Sequence, residues 1–178
     1  LAFISVQESP GKNVKTDVLL PRKTLNEVAR LIDGGAAVEF SQGENHLFFR
    51  ADGRLLISRK IDANFPTYER VIPKTNDKHI EFDRDRLASA VRRVRLLSNE
   101  PCKAVKFALG KDQVEITSST PEVGEAHEVL AVDYSGNAMQ ICFNADYVDN
   151  FLNVVETENV RLEFKDGRIV KATSNNSK

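Results

Sequence analysis

The feature that most constrains this chain is a module that recurs three times along it. The stretches DVLLPRKTLNEVARLID from Asp17, HIEFDRDRLASAVRRVRLL from His79 and MQICFNADYVDNFLNVVETE from Met139 share one layout. Each opens on alternating apolar residues, Val18/Leu20, Ile80/Phe82 and Ile141/Phe143, the period-two pattern of a strand with one buried face. Pro21, Asp83 and Asn144 then mark a junction, because Asp and Asn cap helix N-termini and Pro suits a change from extended chain to helix. Past the junction the apolar spacing lengthens to about 3.6 residues, the period of an amphipathic helix. Leu25, Val28 and Ile32 form the first stripe, Leu87, Val91 and Val94 the second, and Val148, Phe151, Leu152 and Val155 the third.

Hairpin signals follow each helix. Val38 and Phe40 lead to a turn near Gly43 and a strand over Leu47 to Arg50, after which Asp52 and Gly53 turn the chain into Leu55 to Ile61. In the second module Val105, Phe107 and Leu109 alternate, Gly110 to Asp112 reverse the chain, Val114 and Ile116 run back, and Ala126 to Val132 form the last strand. The third module starts the same way with Val160, Leu162, Phe164 and a turn at Asp166 and Gly167. Leu20 and Phe82 are 62 residues apart, and Phe82 and Phe143 are 61 apart. So regular a period predicts a duplicated α+β unit in the order strand, helix, strand, strand, strand, since helix and hairpins each need a partner layer.

Bulk properties narrow the function. With 41% hydrophobic and 29% charged residues, the 178-residue chain is ordinary for a folded globular protein. Its net charge of −1 gives no overall attraction to nucleic acid, so any such contact must come from local clusters of basic residues. Cys102 and Cys142 lie far apart with no histidine at ligand spacing, which argues against a zinc site or disulfide framework and for reduced thiols in the cytoplasm. No segment approaches a membrane span, and the N-terminal residues do not read as an export signal. His46, His79 and His127 stand apart from any nucleophile motif, and GxSxG, HExxH and phosphate-binding loops are missing. Asp83 and Asp85 read as charge at a helix N-terminus, and Gly34 and Gly35 as a helix C-cap. The expectation is a non-catalytic protein without metal or cofactor.

Four stretches resemble a known family: PRKTLNEVARLIDGG, RLLISRKIDANFPTYERVIPK, LLSNE and YSGNAMQICFNADYV. They are similar to the bacterial DNA polymerase III beta subunit, the DNA sliding clamp, over Leu1 to about Gly167. The resemblance implies an α+β DNA clamp (processivity) fold of repeated βαβββ units, with antiparallel sheets outside and helices inside. It implies that residues 1–66 are the second half of the middle domain, 67–78 a linker, and 79–178 the last domain without its final strand. GRIVKATSNNSK does not resemble the family's C-terminal tail, and the first domain and half of the middle one have no counterpart here, so this piece alone is not expected to close a ring. The implied function is to confer processivity by encircling duplex DNA and tethering partners. Those partners are replicative and repair polymerases, the clamp loader and other clamp-motif proteins, with a head-to-tail homodimer in the full-length parent. The alternatives are a stand-alone peptide-binding module that does not encircle DNA, and an uncharacterised α+β enzyme.

The family's partner-peptide pocket maps by motif onto Leu1, Pro66, Arg70 and Val71, with Asn144 and Tyr147 at its edge. Apolar walls suit Leu or Phe anchors, and Arg70 and Asn144 offer polar groups to fix a peptide backbone. By themselves these residues read as a turn whose Phe65 and Val71 pack inward. Arg22 and Lys23 match family positions that touch the duplex, through phosphates and without sequence readout. The second helix carries Arg84, Arg86, Arg92, Arg93 and Arg95; for the last three an interface role is favoured over DNA or simple solvation. The reason is Leu96, which a rotation of about 100° per residue puts opposite the core stripe, where an apolar side chain has no internal partner. The resemblance assigns Leu96 and Leu97 to the dimer contact, with Arg93, Glu122 and Glu125 in support.

Overall fold

The computed structural model describes residues 17–33, 35, 37–65, 67–98 and 102–174, and the chain divides into two compact units, Leu1–Val71 and Ile72–Lys178.

In the first unit, α1 (Arg22–Leu31) precedes an antiparallel sheet of β1 (Glu39–Gln42), β2 (His46–Ala51) and β3 (Arg54–Arg59), in the order β1-β2-β3. The Asp-Gly turn expected between β2 and β3 is present: Asp52 and Gly53 have φ of 47° and 72°, the left-handed pair that matches strand twist. Two expectations for this unit change. Asp17 to Leu20 is not a strand among the described residues; Leu19 only accepts one backbone hydrogen bond, from Ile61 at 3.3 Å. The stripe of α1 is also not a packed face. Leu25 and Ile32 are exposed, and the helix instead buries Thr24, whose hydroxyl is 2.7 Å from that of Ser58 on β3. Gly35 takes φ 81° just past the helix and donates to Ile32 O, as a C-cap does; Gly34 lies outside the described residues.

The second unit shows how these modules complete one another. Its elements are β4 (Lys78–Asp83), α2 (Arg84–Val94), a 3-10 turn (Arg95–Leu97), β5 (Ala104–Gly110), β6 (Gln113–Thr120), β7 (Gly124–Ala131), β8 (Met139–Asn144), α3 (Ala145–Val154), β9 (Asn159–Phe164) and β10 (Lys171–Ser174). The sheets run β7-β6-β5-β8 and β10-β9-β4. Each leading strand therefore leaves its own module and pairs with the other's: β8 with β5, placing Phe143 opposite Val105, and β4 with β9, placing Phe82 opposite Val160. The third module carries two strands after its helix among the described residues, where the second carries three.

The second stripe is buried here, and the third packs against the same core, with Val148 and Phe151 partly buried. Leu87, Val91 and Val94 of α2 join Leu152 and Val155 around Phe107, Ile116 and Phe164. Phe107 and Phe143 meet edge-on with ring centroids 4.9 Å apart, a favoured aromatic geometry. Both junction residues cap as expected: Asp83 Oδ1 accepts from Arg86 N at 2.8 Å, and Asn144 Oδ1 from Asp146 N at 2.9 Å.

The YSGN motif has a packing role. The buried Tyr134 ring lies against Gly136 and its hydroxyl donates to Asn137 O at 2.9 Å. A Cβ on Gly136 stands 2.5 Å from Tyr134 Oη and 2.7 Å from Cζ, closer than any real contact. Gly136→Ala is expected to destabilise this unit by about 1–3 kcal/mol through overpacking. Tyr134→Phe is expected to cost about 1 kcal/mol for the lost hydrogen bond; urea denaturation of both variants checks the order.

Candidate functional site

Sequence reasoning put partner-pocket residues in both units, and each unit is described separately. In the first, Tyr68–Arg70 form a single 3-10 turn, closed by Val71 N donating to Tyr68 O at 2.9 Å. Phe65 and Tyr68 meet edge-on at 6.4 Å. The reading in which Phe65 and Val71 pack inward does not hold: they are 56% and 61% exposed. The Tyr68 hydroxyl titrates above its ordinary value, through partial desolvation first and the neighbouring Glu69 carboxylate second. Arg70 is exposed on the same turn. Leu1 and Pro66 lie outside the described residues.

In the second unit Asn144 and Tyr147 sit at the start of α3. Asn144 is largely committed to holding that start: Oδ1 accepts from Asp146 N and Tyr147 N, and Nδ2 donates to Cys102 O at 3.1 Å. An amide has two N–H donors, so one remains to meet a ligand. Tyr147 is 76% exposed. The backbone of Lys103, in the left-handed region at φ 44°, accepts from Ala145 N at 2.9 Å. Cys102 and Lys103, just before β5, thus hold the helix N-terminus through their carbonyls.

A charged network that sequence reasoning missed fixes α3 against α2. Lys103 Nζ donates to Asp146 at 2.9 Å, Arg95 reaches Asp146 at 3.5 Å and Asp149 at 3.1 Å, and Arg92 donates to Asp149 at 2.7 Å and to Asn153. The hydrogen bond from Lys103, aided by the charges of Lys103 and Arg95, holds the Asp146 carboxyl below the usual carboxylate range. A signal was present in the sequence. Arg92 of α2 and Arg95 of the 3-10 turn that continues it, like Asp146 and Asp149 of α3, are each spaced by three residues, the interval that puts side chains on one helical face.

Arg93, which the resemblance assigns together with Glu122 and Glu125 to the dimer contact, forms a two-pronged pair with Glu128 of β7 within its own unit. Its Nε lies 2.5 Å from Oε1 and its Nη2 3.0 Å from Oε2, and that hydrogen bonding lowers the Glu128 pKa and raises that of Arg93. Glu122, in the β6–β7 turn, and Glu125, near the start of β7, are exposed. Leu96 is 79% exposed, whereas Leu97 is partly buried and its carbonyl accepts from Thr120 Oγ1 at 2.5 Å.

Arg22 and Lys23 are exposed in the first turn of α1, which contains no acidic residue. Among the described residues neither side chain has an ion-pair partner. Two cations at the positive end of a helix dipole oppose helix stability, so they form a local positive field that folding does not require. Arg84 serves the fold by donating to Val155 O at 2.7 Å, while Arg86 is exposed. The described residues contain no group of three or more His, Cys, Asp or Glu placed to hold a metal, and no helix long and apolar enough to cross a membrane.

Comparison with known proteins covers nearly the whole chain. The family profile for the DNA polymerase III beta subunit, central domain, matches residues 1–67, and that for its C-terminal domain matches 69–177. The chain is 39% identical over 150 residues to the beta sliding clamp of Escherichia coli K12, covering 84% of this chain and 41% of that protein. It superposes on the crystal structure of a Pseudomonas aeruginosa DNA polymerase sliding clamp with a TM-score of 0.79 and 32% identity, over 90% of this chain and 45% of that one. A P. aeruginosa sliding clamp bound to griselimycin matches with a TM-score of 0.77 and 33% identity, over 89% and 44%. The chain thus spans less than half the length of the relatives it matches.

Lys103→Met is expected to return the Asp146 pKa toward the ordinary range in carboxyl-detected NMR titration. Because the folded pKa of Asp146 is depressed, its contribution to stability is present above the unfolded value and lost as pH falls through the folded one. Lys103→Met therefore lowers the midpoint of urea unfolding at neutral pH, and the difference closes at acid pH.

Proposed function

Because the chain belongs to the DNA polymerase III beta-subunit family, the beta sliding clamps, we propose that it is the second half of the middle domain and most of the last domain of a clamp. Such a clamp encircles duplex DNA without reading sequence and confers processivity. It tethers replicative and repair polymerases, the clamp loader and other clamp-motif proteins, in a cytoplasmic head-to-tail homodimer, and it is not itself an enzyme. The observation that carries the DNA part is the unneutralised Arg22–Lys23 pair, exposed where it costs α1 stability. Phosphate contact by a few such cations is weak and salt-sensitive, as sliding requires.

Partner capture rests on exposed, aromatic-rich ends of two short helical segments. Arg70 and Val71 follow Phe65 and Tyr68, and Tyr147 projects beside the Asn144 cap. Aromatic and arginine side chains are the residue types that dominate peptide anchoring. Leu96, with Leu97, Glu122 and Glu125 nearby in sequence or across the β6–β7 turn, is proposed as the subunit contact. In that contact the Arg93–Glu128 pair shapes the surface beneath it.

Two measurements test this reading. The three-domain protein carrying this sequence is expected to stay on nicked circular duplex at high salt and to be lost on linearisation, since only a ring slips off ends. Equal retention on both forms favours a peptide-binding module that does not encircle DNA. In the same protein, Arg22→Ala with Lys23→Ala is expected to reduce the slope of log affinity against log salt by about 2, one unit per phosphate contact; an unchanged slope removes these residues from the DNA interface.

A further inference from the structure

Lys103 holds the start of α3 through both its backbone and its side chain. Its backbone lies in the left-handed region at φ 44°, which glycine and asparagine adopt more readily than lysine does. From that turn of the chain, Cys102 O accepts from Asn144 Nδ2 at 3.1 Å and Lys103 O accepts from Ala145 N at 2.9 Å. Glycine at this position would keep both carbonyls and shed the strain. A strained residue that is not glycine points to a role for its side chain, and this side chain ends in an ammonium 2.9 Å from Asp146 Oδ2. Arg95 also reaches Asp146, at 3.5 Å, but lies closer to Asp149, at 3.1 Å. Lys103 is thus the nearer cation to the Asp146 carboxylate.

Asp146 needs that tie because of where it stands. It follows Asn144 by two residues, in the first turn of α3, and Asn144 is the residue with one amide N–H left to meet a ligand. A loose carboxylate there is a charged acceptor, and hydrogen bonds to such groups are about twice as strong as those to a neutral peptide carbonyl. It competes for the same donor and sets a negative charge beside the exposed Tyr147. We infer, on the reading of Asn144 and Tyr147 as the edge of a peptide site, that Lys103 is a positioning residue for partner capture. By drawing the Asp146 carboxylate to its own side of the helix start, it leaves the Asn144 donor and the Tyr147 ring to the peptide. The strain in its backbone and the ion pair of its side chain then serve one end, a helix start whose polar groups are committed inward except for those that meet the partner.

The affinity of the three-domain protein carrying this sequence for a short fluorescein-labelled peptide with Leu and Phe anchors, read by anisotropy beside the thermal midpoint of each variant, tests this role. Lys103→Gly is expected to weaken binding about 5-fold, the worth of one hydrogen bond. Its midpoint is expected to stay close to the parent's, because relief of backbone strain offsets the lost ion pair. Adding Asp146→Ala is expected to restore the affinity, since the backbone N–H at 146 still donates to Asn144 Oδ1 and the competing carboxylate is gone. Lys103→Arg keeps the cation and is expected to bind as the parent does. A merely structural Lys103 gives a different pattern: lost affinity follows a lowered midpoint, and the double variant binds no better than the single one. Either result overturns the inference, as does Lys103→Gly binding like the parent while Tyr147→Ala loses the peptide. If Tyr147→Ala itself binds as the parent does, the peptide-site reading falls and takes the role of Lys103 with it.

Discussion

The exchange of leading strands between modules is the interaction on which the rest of this structure depends. A strand, a helix and a hairpin cannot enclose a core by themselves, because helix and sheet each have one apolar face and only a second layer can cover it. Sending β8 to β5 and β4 to β9 joins two modules at two separate sheet edges and brings α2 and α3 side by side over a common core. The cost of an open edge disappears at both junctions at once. The same rule explains the first unit, where a single module leaves its first hairpin strand and its helical stripe exposed.

Function is then a matter of what remains on the outside. The cations of α2 and the turn after it that looked available are mostly engaged: Arg92 and Arg95 with Asp149, Arg93 with Glu128, Arg84 with a carbonyl. Most of these pairs are solvent-exposed, so their energetic value is modest, but they fix the orientation of α3 and therefore of Asn144 and Tyr147 at its start. Arg22 and Lys23 on α1, by contrast, have no ion-pair partner among the described residues.

Belonging to the sliding-clamp family accounts for the resemblances that motif and fold share. YSGN is a tyrosine packed over a glycine, and in LLSNE the Leu97 carbonyl accepts from Thr120 and Ser98 donates to Arg95 O. The role of the Tyr134–Gly136 contact becomes visible only in three dimensions.

The sequence by itself determined the modules. Period-two and period-3.6 patterns located the leading strands of the second unit, all three helices and the hairpins, and Asp83 and Asn144 could be named as caps, because these are local signals set by backbone geometry. It also placed Leu96 on an exposed face by rotation alone. Tertiary structure decided what no local pattern carries: which module each leading strand joins, which arginine meets which carboxylate, and whether an apolar stripe is covered. Asp17 to Leu20 and Leu25 carry the same pattern as their counterparts and yet differ in fate, since burial is a property of the partner surface and not of the stripe.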